Sequence, residues 1–361
     1  MRRDVLELDT ALSRVVRETR LSLAEVEAIR LLLAGGSVVD WIQLAFRRIE
    51  EVDRFLARQL ISTSDPIDAD RLRYVYNEAV SYLEEYLHTR FPPELRDPED
   101  VREVFLVASR VPGGLKMRRK QLQACMVLKL MHVIHHMEAA DLRFQTAISE
   151  AQLLELAYRR IMEGGREMRA AGLPVVSFYG SRKTRTSVIT KLLVKRENIA
   201  ATVFDKLRFR IVVEEQTDLI PATQWLVNNL FPFNYVIPGQ SHNNLIRPED
   251  LVRFLHDPDM AQVDVPQHLP GHTESGKNEF SGATYRAFNF IVDFPIRIPD
   301  SYLSGTSLEM GRVVFVMVEF QLVDAWTARR NEAGENAHHE YKRRQRQVVN
   351  KRLMRGTVPK D

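Results

Sequence analysis

LPVVSFYGSRKTRTSVITK, residues 173 to 191, sets an apolar run directly against a cluster of charge. Leu173 to Tyr179 reads as a strand. Gly180 is then expected to open it into a helix start rich in Ser and Thr, carrying Arg182, Lys183, Arg185 and Lys191. The first N–H groups of a helix point outward and its dipole adds about half a positive charge there, so such a junction suits phosphate. Ser187 and Lys191 lie four apart and share one helical face, with Lys183 in the loop one turn earlier. A solvated basic turn has the same composition, so the residues further along decide between the two readings.

Upstream, residues 1 to 168 read as helix after helix. Ser22 and Glu25 form a capping box, and Gly35-Gly36 ends the helix that follows. Ser37 starts another, whose apolar positions Val38, Trp41, Ile42 and Leu44 continue toward Phe55 and Leu56. The Gly35-Gly36 junction reads as a helical hairpin, since no basic recognition helix follows it. Pro92-Pro93 and Pro112-Gly113-Gly114 punctuate later helices. Asp141 to Ala171 reads as one helix with Phe144, Ile148, Ala151, Leu154, Ala157 and Ile161 at helical spacing, its last turns loosened by Gly164-Gly165.

Downstream, short β-rich runs occur at Val175–Tyr179, Phe209–Val213, Phe233–Ile237, Tyr285–Phe294 and Val313–Val323, with a helix at Leu219–Leu230. Between Pro238 and Ala283 lies a long polar segment, with helix expected around Glu249–Leu255. The fold class is therefore α+β: an all-α N-terminal domain (1–168), then a mixed β-sheet flanked by helices (169–345) with an insertion at about 238–284. A basic tail at 346–361 follows. The chain has 361 residues, a net charge of +3 and one cysteine, Cys125, so no intrachain disulfide forms and a reducing cytoplasm fits. No apolar run nears the ~20 residues that cross a bilayer. MRRDVLELDT has no apolar signal-peptide core.

Five clusters in the second half carry chemistry. After the basic loop come Asp205 and Arg210, which strand alternation puts on opposite faces unless Asp205 sits at the strand entrance or at a bulge. Tyr285-Arg286 precedes the next strand. VFVMVEFQLV then places Met317, Glu319, Gln321 and Val323 on one face, either as costly buried polar groups or as a solvated edge. Last, His338, Tyr341 and Lys342 share a helical face. Two acids with several cations and one aromatic suit metal-assisted phosphoryl chemistry, the aromatic stacking a base for roughly 1–3 kcal/mol.

In this order the clusters resemble the synthetase domain of the RelA/SpoT alarmone synthetases, over about residues 170 to 345. The family signature R-x-K-x-x-x-S-x-x-x-K matches Lys183, Ser187 and Lys191; D-x-x-x-x-R matches Asp205 and Arg210. The Tyr-Arg pair matches Tyr285 and Arg286, E-x-Q matches Glu319 and Gln321, and H-x-x-Y-K matches His338, Tyr341 and Lys342. The resemblance implies a nucleotidyltransferase-like fold and transfer of pyrophosphate from ATP to the 3′-hydroxyl of GDP or GTP. It implies that Lys183, Ser187, Lys191 and Arg210 bind ATP phosphates and that Asp205 and Glu319 are catalytic and hold Mg²⁺. Tyr285, Arg286, Asn289, Gln321, His338 and Lys342 would face the acceptor. Ser181 stands where the family has an Arg, with Arg182 and Arg185 as substitutes. Thr284 replaces a Gly, Asn289 a His, and Val323-Asp324 an Arg-Thr pair. These departures and the basic tail keep two alternatives open: pyrophosphorylation of the tRNA 3′-end, and a non-catalytic nucleotide-binding protein. The helical half would serve regulation or homo-oligomerisation.

Other groups carry less. Cys125, His132, His135 and His136 on one helix could be imagined as a metal site, but half-buried helix residues explain the spacing. His256-Asp257 lacks the partners of an alarmone hydrolase, and no hydrolase activity is expected. Trp41, Trp225 and Trp326 read as core or packing residues.

Overall fold

The computed structural model describes residues 46–109, 114–194, 207–247, 284–308, 310–333 and 338–354, with Glu25, Ile29, Leu32 and Leu33 of the N-terminal segment. The Ser22 cap, the Gly35-Gly36 junction, Trp41, the 249–255 helix and His256-Asp257 lie outside them. Helices come first: α1 (Ile49–Arg58), α2 (Pro66–Glu85), α3 (Pro93–Arg96), α4 (Arg102–Ser109), α5 (Leu115–Gln145) and α6 (Glu150–Ala170). Asp65 starts α2 by accepting from the Ile67 N–H, with Pro66 at the first helical position, where its missing donor costs nothing. Phe55, Tyr76, Leu83, Phe105 and Leu128 close one core among these helices.

Two expected helices break differently. The helix expected to continue toward Leu56 does not pass through 46–48: Arg48 is extended, and α1 begins at Ile49, where Glu51 takes the Arg47 N–H at 2.7 Å. The single helix over 141–171 is two. Ser149 and Gln152 form a reciprocal capping box at the start of α6, so the chain leaves α5 at Gln145, and Phe144 is exposed. Gly164 and Gly165 do not loosen α6 but let neighbours approach. A Cβ built at either would lie 2.8 Å from Leu230 or from Phe178.

The second half forms one five-stranded sheet from β1 (Val175–Arg182), β2 (Leu207–Val213), β3 (His242–Asn243), β4 (Phe288–Arg297) and β5 (Val313–Asp324). Its order is β1-β2-β5-β4-β3, with β2 parallel to β5 and the other pairs antiparallel, so the sheet is mixed. Among the described residues the other α-helices are α7 (Arg185–Val194) after β1, α8 (Leu219–Asn229) after β2, α9 (Ala325–Asn331) after β5, and α10 (His338–Leu353). β5 is central, which rules out the solvated edge and explains its near-continuous β-branched and aromatic run. The stretch expected as a strand at Phe233–Ile237 is a 3-10 turn, Phe233–Tyr235, followed by one bridge from Val236 to Val292. Pro232 and Pro238 flank it and supply no N–H to a ladder. β3, inside the polar insertion, was not expected.

One face of the sheet is apolar. Phe209, Phe320 and Phe290 stack across β2, β5 and β4 with centroids 5.9 and 5.6 Å apart, under Leu153, Ala157 and Ile161 of α6 and Leu226 of α8. Leu153, Ala157 and Ile161 of α6 thus belong to the sheet's core although they precede residue 169. Ile29, Leu32 and Leu33 join the same core, and Glu25 accepts from Gln224 and Asn228 of α8 at 2.8 and 2.6 Å. Gly180 lies within β1 rather than opening a turn: a Cβ there would sit 2.6 Å from both Phe209 and Tyr158. Gly180→Ala is therefore expected to overpack this layer and cost about 1–3 kcal/mol, read as a lower urea midpoint; an unchanged midpoint would show that the rings yield freely.

Candidate active site

The opposite face is polar because the alternation of β2 and β5 coincides in register. Direct partners share a face, so Tyr179, Arg210, Gln321, Asn289 and His242 form one row across all five strands. The next row holds Ser181, Arg208, Glu319 and Ile291. Arg208 places Nε and Nη2 each 2.9 Å from Glu319 Oε2. The Glu319 side chain is only 11% exposed, whereas that of Arg208 is 42% exposed. Arg210, one row on, meets Glu332 at 3.3 Å, yet its buried Nε and Nη2 have no hydrogen-bond partner. A buried guanidinium short of acceptors is costly and is satisfied by an incoming oxyanion. Asn289 likewise keeps Oδ1 without a donor.

Tyr285 lies against this face and accepts from Gln321 Nε2 at 2.7 Å. Burial pushes its hydroxyl above the usual phenol range, opposed by Arg208 and Arg210. Its backbone is not yet strand. Asn244 donates to the Tyr285 carbonyl at 2.8 Å and accepts from the Ala287 N–H at 2.8 Å. Asn331 of α9 donates to the Arg286 carbonyl at 2.6 Å and accepts from the Arg286 N–H at 3.2 Å. Asp324 caps α9 through the Thr327 N–H at 2.8 Å, and Asn331 ends that helix.

The sheet edge leads into the cationic loop. Thr184 caps α7, accepting from the Ser187 N–H at 3.3 Å and lying 3.0 Å from Ser187 Oγ. Lys183 precedes this cap, Arg185 opens the helix and Lys191 closes it. Arg182 parts from the group: it shares the apolar face with Leu207, pairs with Glu155 and lies 5.6 Å over Tyr158. Between β1, β2 and α9 a groove of about 340 Å³ is lined by Tyr179, Arg210, Arg329 and Glu332, over Val212 and Ala328. α10 packs on α7, where Arg352 donates to the Leu193 carbonyl at 2.6 Å. His338 begins α10 and Lys342 is exposed on it. Trp326 is not a core residue; it is 60% exposed beneath Arg330.

The face therefore brings together Arg210, Glu319, Gln321, Tyr285 and Asn289. Asp205 lies outside the described residues. Among the described residues no group of three His, Cys, Asp or Glu is spaced to hold a metal, and Glu319 is taken by Arg208. Of the two acids expected to hold Mg²⁺, Glu319 alone is described, and Arg208 is its cation here. Arg208, Asn331, Asn244 and His242 were missed. Arg208 was legible, since it alternates with Arg210 in LRFRI and so shares its face.

Toward α5 the polar face closes over a buried histidine cluster. His136 stacks on Phe315 at 4.2 Å and 9°, and lies tilted at 43° against His132 at 4.1 Å. Burial holds His132, His135 and His136 neutral, at about 2, about 3 and about 4, and pushes the neighbouring Asp293 up to about 6. Cys125, a turn or two earlier, is buried against the Ala108 carbonyl. The unfolded chain protonates His135 near 6.5 and the folded one only near 3. Its stabilising share is thus present above 6.5 and is lost as pH falls toward 3. His135→Leu should gain on the wild type by about 1.4 kcal/mol per pH unit across that window. A pH-independent difference in urea stability would refute the buried neutral imidazole.

No family model matches the chain, and no curated protein does. The structural neighbours include small alarmone synthetases. Small alarmone synthetase 1 from Bacillus subtilis, solved with its product pppGpp, overlaps at a TM-score of 0.32 and 12% identity, over 57% of this chain and 88% of that one. A GTP pyrophosphokinase family protein from Streptococcus pneumoniae overlaps at 0.29 and 11%, over 58% and 91%. Small alarmone synthetase 2 from B. subtilis overlaps at 0.28 and 13%, over 58% and 99%. These overlaps are partial, and the case for function rests on the side chains of the polar face. No helix among the described residues is long and apolar enough to cross a membrane.

Proposed function

We propose that the chain is a pyrophosphokinase that moves the β,γ-pyrophosphate of ATP to the 3′-hydroxyl of a guanosine nucleotide. The observation that carries this is the polar face itself: Arg208, Arg210, Glu319 and Gln321 in two adjacent rows under Tyr285, with Arg210 offering unsatisfied donors. In the reaction the 3′-oxygen attacks the β-phosphorus, the bond from that phosphorus to the oxygen bridging it to the α-phosphorus breaks, and AMP leaves. Glu319 takes the proton of the 3′-hydroxyl. Arg210, with Lys183, Ser187 and Lys191 of the loop and helix, holds the phosphates, and Arg185 adds charge at the helix start. Tyr285, Gln321 and Asn289 support the acceptor. Such chemistry needs positioning and charge neutralisation more than covalent help, and orientation alone supplies about 7–11 kcal/mol.

A second reading has its own support. α10 exposes Lys342, Arg343, Arg346 and Lys351 beside α7, a strip suited to a longer polyanion such as tRNA. ATP labelled in the γ-phosphate, incubated with GDP, GTP, AMP or bulk tRNA, separates the two. Label on GDP or GTP supports the first, and label on tRNA the second. ATP binding without transfer to any acceptor would leave a nucleotide-binding protein and defeat both.

A further inference from the structure

The groove between β1, β2 and α9 already holds an anion, and that anion is a side chain of the protein. The floor is apolar, Val212 and Ala328, while Arg210, Arg329 and Tyr179 stand in the walls. Arg210 rises from β2 only 15% exposed, with Nε and Nη2 buried and without an acceptor. Its third nitrogen, Nη1, donates to Glu332 at 3.3 Å. Glu332 lies at the mouth, its side chain 70% exposed. Its backbone is fixed by the end of α9, where its N–H donates to the Arg329 carbonyl at 3.3 Å, so the side chain alone has to turn for the contact to open. An exposed ion pair with one long hydrogen bond is weak. A phosphate oxygen is the stronger partner, because it brings more charge and can satisfy donors that the carboxylate leaves bare.

We propose that Glu332 is an internal stand-in for phosphate: it occupies Arg210 while the groove is empty and gives way when a polyphosphate enters between Arg210 and Arg329. Arg210 stays where the strand puts it, and the carboxylate is the part that moves. Glu332 touches no reacting atom. It acts through Arg210, and it sets the concentration at which the groove fills. That the polyphosphate is the chain of ATP rests on the pyrophosphokinase reading; the displacement itself does not.

Inorganic tripolyphosphate, titrated by calorimetry at low salt in metal-free buffer, is the probe. The proteins are the wild type, Glu332→Gln, Glu332→Asp, Arg210→Gln and the double variant Arg210→Gln/Glu332→Gln, each checked for folding by its thermal melt. Glu332→Gln should bind roughly two- to fivefold more tightly than the wild type, the weight of an exposed ion pair. Glu332→Asp keeps the charge at the mouth but is one carbon too short to hold the 3.3 Å contact, so it should share most of that gain. An Asp variant that binds like the wild type would show that distant charge governs, and would overturn the stand-in. In the Arg210→Gln background, removing Glu332 should add nothing. Should the Arg210 variants not fold, the comparison of Gln with Asp decides alone. Equal or weaker binding by Glu332→Gln overturns the proposal, and so does a groove that takes no tripolyphosphate in the wild type or in Glu332→Gln. The labelled ATP assay is independent of this result. Transfer by a protein that ignores tripolyphosphate would sink the stand-in alone, and a stand-in confirmed in a protein that transfers nothing would sink the pyrophosphokinase reading alone.

Discussion

Glu319→Gln lowers pyrophosphate transfer by about 10²–10³ while leaving the fold intact, the loss expected when one well-placed electrostatic group is removed from a partly dry site. The substitution keeps the shape and leaves an oxygen for Arg208 at the position now 2.9 Å away, so the sheet register is unaffected. What disappears is the negative charge and the ability to take a proton. The comparison is made on GDP, GTP and tRNA in parallel, with melting temperature as the control. Undiminished transfer by a folded Glu319→Gln protein would remove Glu319 from the chemistry and leave the polar face as a binding surface only.

Arg297→Met carries the largest expected effect on stability. Arg297, at the end of β4, grips Asp68 of α2 with Nη1 and Nη2 at 2.8 and 3.1 Å and donates to the Leu60 carbonyl at 2.9 Å. The Asp68 side chain is 9% exposed and also accepts from the Ser62 N–H at 2.9 Å. Without Arg297 the carboxylate remains buried and uncompensated. Losing one partner of a buried pair costs about 3–5 kcal/mol, and the lower figure applies because Arg297 is itself 35% exposed. A fall of the melting temperature by roughly 4–6 °C is expected. An unshifted melt would mean that water replaces the guanidinium and that helices and sheet are joined by apolar packing alone.

The sequence was informative where a period repeats and silent where packing chooses. Alternation in β5 put Met317, Glu319, Gln321 and Val323 on one face, and the register agrees. It did not say that β5 is central, because nothing in a single strand names its neighbours. The break between α5 and α6 was encoded in Ser149 and Gln152, yet the apolar spacing of the flanking residues outvoted that cap. Glycines misled in the same direction twice. Gly164, Gly165 and Gly180 read as points of looseness, whereas each admits a bulky neighbour. At the candidate site, Arg210 and Gln321 were named and fall in one row. Arg208 carries the same signal, two residues before Arg210 in LRFRI and so on the same face. Asn244 and Asn331 carried no signal at all, since an amide that ties two loops together has no periodicity to betray it.

The paired amides around Tyr285 reach beyond the residue they fix. Asn244 grips Tyr285 and Ala287, so the chain just before position 248 and just after position 283 is stapled into a single gate beside the sheet. Beyond such a gate, length is thermodynamically cheap: each doubling of an excursion adds only about 0.6 kcal/mol of closure entropy. The register beside Tyr285 is thus held by the amides of the gate itself, which makes the gate the natural place to graft new specificity onto an unchanged sheet.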